Sequence, residues 1–447
     1  MSELLAEEAA GALAEVRERL ERALAASPAD ETSFAWLETW RRRASDSSGS
    51  PEHAVVRRRD LLVRVMESHR LGAYRTDGDA PHELPLAIRQ ALAQARAAAP
   101  IAGLPRLPHD DGPTPDLPAD AYDPELLALR REPAAALLRG WLREGERAEL
   151  EWREARLLVL SSRGLRRSAA VTTVALEVRC GRAPGAGSAA GACRSLAGLA
   201  PELILARARH RHGAGEPEGE PAADRPLVLA PEAVAQLLDV VSRRSLTAES
   251  YRSGESFLRE HLGVQVFDRA FGLRDDATDP SVLPFPFDLE GTPKRPIEVV
   301  SAGVPRTPAL NQQEAALSGL AATPHATAGD DARFEHLALA AGDGPLAELL
   351  TAADGGTWVA RLGRLECFDA RRLQIRAVAG GARRIRDGIL GPPLPDFTWE
   401  VSLLQALGKL LAVGAEAVTV ADPSGILGGI RAPAVALAQA GVVTPAA

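Results

Sequence analysis

Residues 227–244 read LVLAPEAVAQLLDVVSRR and constrain the fold of this chain more than any other stretch. A short apolar strand comes first, followed by Pro231, whose fixed φ and missing N–H suit the first position of a helix. Val234, Leu237, Leu238 and Val241 then recur at helical spacing and form one buried stripe. A strand thus runs directly into an amphipathic helix. Periodicity alone makes that helix core structure.

With 447 residues the chain is long enough for two domains or more, each with its own core. Its formal charge of −8 argues against a dominant nucleic-acid surface, although local basic runs exist. Aromatic residues make up only 4% of the chain, so the cores must rely on leucine, valine and alanine. Cys180, Cys193 and Cys367 are too scattered for a disulfide framework or a CxxC metal clip. The start, MSELLAEEAAGALAEVRERL, is amphipathic and acidic, unlike a signal peptide or presequence. No apolar run reaches the length of a membrane span, so the expectation is a soluble cytoplasmic protein with no membrane partner.

In chain order, residues 2–26 should form a helix and 32–43 a strand, with two strands around a turn in 53–74 and an Ala-rich helix at 86–99. The triplets Arg41-Arg42-Arg43 and Arg57-Arg58-Arg59 have no interleaved aromatics, so a solvated strand face is the expectation. Residues 100–123 are a Pro- and Asp-rich loop, and Asp123 caps a helix that carries Leu126 through Leu142. Strands are expected at 149–161 and 169–179, then a small-residue stretch at 184–200 and a helix at 203–210. The low-complexity segment 213–224 divides the chain into residues 1–224 and 225–447. Beyond it, strands are expected at 264–273, 297–300, 334–339, 357–362 and 373–378, with a late helix at 399–411.

Several stretches resemble the TldD/TldE (PmbA) family of metallopeptidases. In the catalytic branch a lead-in similar to LAPEAVAQLL runs into HExxxH; here Leu237-Leu238 is followed by DVVSRR. Asp239 stands at the first histidine position, Val240 at the glutamate and Arg244 at the second histidine. SGESFLREHL at 253–262 resembles the family's GxSFLxxxLG, and LLAVGAE at 410–416 resembles its AVGNDL. PFPFDLEGTPKR at 284–295 resembles PFDDEGxxTRR, through Phe287, Asp288, Glu290 and Gly291. The order and spacing of these motifs along almost the entire chain carry the resemblance. It implies a two-domain α+β fold, with an N-terminal αβ domain that holds the 100–123 linker and a strand-rich C-terminal domain.

A hydrolytic zinc needs imidazole, thiolate or carboxylate ligands and a base for the bound water. Val240 has no acid–base chemistry, and Arg244 is a permanent cation. Asp239 alone is not a site, and residues five apart on a regular helix point about 140° apart. The family's third ligand, a cysteine near the C-terminus, has no counterpart, since residues 412–447 contain neither cysteine nor histidine. The degenerate positions therefore predict no catalytic residue and no metal in this chain. Cys367 reads as a buried structural thiol. His210 and His212 read as cations at a helix C-terminus, and Asp275-Asp276 and Asp330-Asp331 as exposed turn carboxylates. Phe287, Asp288, Glu290 and Gly291 read as architectural, with Asp288 closing a turn.

The resemblance then implies a non-catalytic TldE-like subunit, paired with an HExxxH-bearing TldD-like chain that holds zinc and cleaves extended or leader peptides. Two other readings stay open. One is a self-sufficient hydrolase with a relocated site, through Cys367 or carboxylates. The other is a regulatory protein of the kind named a modulator of DNA gyrase.

Overall fold

A computed structural model describes residues 2–46, 52–110, 112–182, 184–327, 331–422, 427–439 and 441–445, with backbone alone at 2–10, 46, 52–53 and 445. Its first layer is an antiparallel sheet of β1 (Glu31–Asp46), β2 (Glu52–Glu67), β3 (Arg70–Thr76), β4 (Glu146–Ser161), β5 (Arg166–Cys180) and β6 (Gly187–Cys193). The strands lie in the order β3-β2-β1-β4-β5-β6. Ser68 and His69, both at positive φ, turn β2 back into β3.

Alternation along β1 and β4 separates the two faces of this sheet. Phe34, Trp36, Leu158 and Leu160 pack under helices α1 (Ser2–Ala25) and α2 (Leu84–Ala97). Ala44, Leu150 and Trp152 continue the same face under α3 (Pro124–Ala128), α4 (Arg131–Trp141) and α5 (Pro201–Arg211). On the opposite face Ala35, Leu37, Leu157 and Val159 pack on Phe285, Phe287, Leu289 and Leu427 from the second half of the chain.

That second half begins with β7 (Leu227–Leu229) and α6 (Pro231–Ser245). Its larger sheet also holds β8 (Leu273–Asp275), β9 (Ile297–Ser301), β10 (Val304–Pro305), β11 (Leu337–Leu339) and β12 (Thr357–Val359). The smaller sheet has the order β13 (Arg361–Asp369), β14 (Gln374–Gly380), β17 (Phe397–Ser402), β20 (Val442–Pro445). The remaining strands, β15 (Arg383–Arg386), β16 (Ile389–Pro393), β18 (Leu410–Ala421) and β19 (Gly429–Leu437), complete the larger sheet, ordered β10-β9-β8-β11-β19-β7-β12-β15-β16. β19 is its hub: β18 lines one edge, while β11 meets the other at Arg431 and β7 at Val435 to Leu437. Val234, Leu237, Leu238 and Val241 of α6 pack into the main core with Ile430, Ala432 and Ile375. The fold is α+β.

Four local expectations are corrected. The helix after Asp123 is two helices, because Pro133 has no N–H to continue the first and sits instead in the opening turn of α4. Residues 264–272 form no strand; the segment buries Phe267 and Phe271 from an irregular backbone. The small-residue stretch hides β6, whose alanines and glycines carry little strand propensity. The late helix is mostly β17, where Phe397, Trp399 and Val401 are buried at every second residue and only Leu403–Ala406 is helical.

Candidate functional site

Helix α6 is regular from Pro231 to Ser245 and starts from an extended Ala230. At about 100° per residue, Glu232, Gln236, Asp239 and Arg243 share one face. Each of them is engaged. Glu232 accepts from Arg211 at 2.7 Å and from the Ala190 backbone N–H at 3.1 Å. Gln236 accepts from the Leu362 N–H at 2.8 Å, and Asp239 holds Arg243 at 2.7 Å. Val240 is buried among apolar neighbours, whereas Arg244 is exposed. Asp239, Val240 and Arg244 therefore do not converge on one point.

Two charges outside the helix complete the surroundings of Asp239. Arg333 pairs with Glu335 at 2.7 Å and with Asp422 at 3.0 Å. Burial raises the Asp239 pKa, and the Asp422 carboxylate raises it further, while Arg243 and Arg333 oppose them. Burial works against the Arg333 cation, but Glu335, Asp422 and Asp239 outweigh it and hold its pKa above the ordinary value. Guanidinium groups thus supply positive charge among these carboxylates. The donor set does not fit a catalytic zinc, which two competing arginines would repel. Among the described residues no three His, Cys, Asp or Glu side chains are placed to hold a metal ion.

Next to this face lies a cavity of about 180 Å³ between the two halves of the chain, reached by Glu149, Glu151 and Arg153 of β4, by β6, and by Glu232 and Gln236. Its acidic side chains are held by arginines: Glu151 by Arg41 and Arg153, Glu149 by Arg43 at 3.1 Å, and Glu232 by Arg211. The outer edge of β6 is closed by side chains. Arg211 donates to the Ser188 carbonyl, and Arg207 donates to that of Ala190. At the other side of this sheet β3 pairs with β2 only at residues 61–67, so no described strand covers the outer edge at 54–60.

The PFPFDLEG segment is a latch between the halves. Phe285, Phe287 and Leu289 fill the apolar layer under the first sheet. Asp288 accepts the N–H groups of Glu290, Thr292 and Ala326, at 2.9, 2.9 and 3.0 Å. Gly291 closes the turn at φ +80°, where an added Cβ would stand 2.5 Å from Leu165 Cδ2. Arg167 donates to the Gly291 carbonyl, and Arg64 lies 3.8 Å from Glu290. Beside the latch the wholly buried Arg194 donates to Thr172, Thr173, Leu283, Pro284 and Leu427. Burial without a carboxylate partner lowers its pKa to about 9.

Several of these residues escaped the sequence reading. Asp275 and Asp276 are buried rather than exposed; Asp275 accepts His325 Nε2 at 2.8 Å and the His336 N–H at 2.7 Å. Those partners lie 50 and 61 residues away, so no local pattern marks them. Arg333, Asp422 and Arg194 are equally silent in sequence. Asp331 is exposed, and Asp330 lies outside the described residues. The arginine triplets meet across strands around Trp40, with the Arg57 and Arg42 guanidinium carbons 4.6 and 5.4 Å from its ring centroid. Glu38 still holds Arg57 and Arg59. Cys367 is a buried thiol in β13, and burial raises its pKa. His212 ends α5 and contacts the Gly185 carbonyl through Nδ1.

Comparison with known proteins bears on both halves. Residues 223–444 match the family model described as the PmbA/TldA metallopeptidase C-terminal domain. No curated protein matches the chain. Among solved structures, TldE from Thermococcus kodakarensis superposes with a TM-score of 0.78 at 19% identity, over 95% of this chain and 100% of that one. A protein from Thermotoga maritima described as a modulator of a DNA gyrase gives 0.76 at 18% identity, over 94% and 98%. One from Bacteroides thetaiotaomicron with a similar description gives 0.74 at 15% identity, over 95% and 99%. No helix of the described residues is long and apolar enough to cross a membrane. The family match over the second half, together with an α+β fold shared along nearly the whole length, assigns this chain to the TldD/PmbA metallopeptidase family.

Proposed function

We propose that this chain is a non-catalytic, TldE-like subunit of a heterodimeric metallopeptidase in the cytoplasm, paired with an HExxxH-bearing TldD-like chain. The partner supplies the zinc and the base; this chain supplies wall and binding surface for extended or leader peptides. The observation that carries the reading is the state of α6. Asp239 is committed to Arg243, Val240 to the apolar core, and Arg244 to solvent. A helix so arranged has no ligand pair and no base to activate water.

The 54–60 edge of β2 is the part of this chain suited to an extended peptide. No described strand pairs with its outer backbone groups, and Val55 and Val56 are 50% and 57% exposed. Strand addition draws affinity from backbone groups, which suits an enzyme that accepts many sequences. The self-sufficient hydrolase is the weaker reading, because the buried Cys367 thiol is held away from its reactive thiolate form. A direct DNA-binding role gains little from a chain of net charge −8 whose Arg57 and Arg59 are tied to Glu38.

Co-expression with an HExxxH homologue is the test. The pair should pass gel filtration as one complex and cleave an unfolded peptide, with each chain inactive alone. A homologue fully active by itself and indifferent to this chain would overturn the proposal.

A further inference from the structure

A trough of about 360 Å³ opens on the larger sheet, on the face turned away from α6. The alternation of the strands places it there. Leu273, Val299 and Ile430 point into the core that holds α6, so their neighbours Arg274, Glu298 and Arg431 point to the other side. Strand register then sets five residues in one row across the sheet. Glu298 pairs with Arg274, Arg274 with Ala338, Ala338 with Arg431, and Arg431 with Thr419.

Two charges in this row have no side-chain partner among the described residues. Arg274 is taken by Asp279 at 2.7 Å, although Glu298 stands directly opposite it. Glu298 and Arg431 make no ion pair or hydrogen bond through their side chains with the described residues, and Arg431 is only partly exposed. Between them stand Arg274, held by Asp279, and Ala338, with Gly272, Ala340 and Ala417 alongside. A cation and a carboxylate thus face one trough from opposite ends, and the small residues beside Ala338 admit a backbone closely.

Spacing selects the ligand. Adjacent strands lie about 4.8 Å apart, so β9 and β19, three strands apart, stand about 14 Å from each other. Both side chains line the trough inside that span. An extended tripeptide, about 10 Å long at 3.3–3.6 Å per residue, fits within it. A polyanion such as phosphate would meet Arg431 but leave Glu298 without a partner, since Asp279 and Arg274 already hold each other. A zwitterion satisfies both ends.

We propose that this trough binds short peptides with free termini, the C-terminal carboxylate on Arg431 and the amino group at Glu298. The site lies away from α6, so it does not rest on the heterodimer reading and is tested on this chain alone. Calorimetric titration with Ala-Ala-Ala, its C-terminal amide and its N-acetyl form reads out the two ends separately. Amidation should weaken binding at least tenfold and acetylation severalfold. Arg431→Met should weaken the free peptide and remove the effect of amidation. Glu298→Gln should remove the effect of acetylation while leaving that of amidation. Equal affinity for free and amidated peptides, an Arg431→Met chain that binds normally, or no binding at millimolar peptide would each overturn the proposal. Inorganic phosphate competing as well as the free peptide would overturn the zwitterion assignment.

Discussion

Asp239 and Asp288 are both buried carboxylates in segments where the sequence resembles its family, and burial raises the pKa of both. Their partners differ. Asp239 is compensated by side chains, with the half-exposed Arg243 at 2.7 Å and the Arg333–Asp422 pair beyond it. Asp288 is compensated by the charge of the buried Lys294 and by three backbone N–H groups, and among the described residues its carboxylate hydrogen-bonds directly to backbone alone. A carboxylate held by side chains sits where partners can be exchanged residue by residue. One held by backbone defines the loop itself. The α6 region can therefore lose its chemistry without losing its fold, whereas the latch cannot change and still join the halves.

The largest predicted effect lies on the latch side. Arg194→Met would strand up to five buried acceptors from three separate segments, at about 1–3 kcal/mol for each left unsatisfied. The loss should exceed about 4 kcal/mol, the class of a broken buried network, measured as the urea midpoint or as failure to fold. Gly291→Ala comes next. A left-handed Cβ costs about 1–2 kcal/mol and its collision with Leu165 adds about 1–3 kcal/mol, so about 2–5 kcal/mol is expected in the same measurement.

The paired substitutions Asp288→Asn and Asp239→Asn sharpen the contrast. The first weakens a fully buried three-donor arrangement and should cost about 2 kcal/mol. The second affects an ion pair whose arginine is 40% exposed, and solvent screening holds it to about 0.5–1 kcal/mol. Equal losses at the two sites would erase the distinction.

A smaller, pH-dependent effect belongs to the wholly buried His336. Burial, with Lys294 adding to it, holds its folded pKa well below the ordinary 6.5. The unfolded chain therefore binds the proton first, and stability is lost as pH falls below about 6.5 toward the folded value. His325 is shifted the same way by burial, so the two act together. Melting curves between pH 7.5 and 5.5 should show this loss, and His336→Leu should flatten it.

The buried stripe of α6 is legible in the sequence because a helix register is local. Val234, Leu237 and Leu238 determine which way Asp239 and Arg244 can point. The α+β class was carried by the motif resemblance, while β6 and β17 were missed for physical reasons. Glycine and alanine in β6 give no apolar alternation. Phe397, Trp399 and Val401 alternate over too few residues to stand out beside the leucine-rich segment at 403–411. Beyond Arg243, the charges around Asp239 lie far off in sequence, as does the partner of Asp275, and only the sheet topology brings Arg333, Asp422 and His325 to them. For the same reason the arginine triplets looked isolated, since Trp40 reaches Arg57 only through strand register.

The account turns on arginine charge, in place of a metal, beside α6. Metal analysis of the purified, dialysed chain tests this most directly. It should contain far less than one zinc per chain, with no change on Asp239→Asn. One tightly held zinc per chain, lost in that variant, would contradict the account.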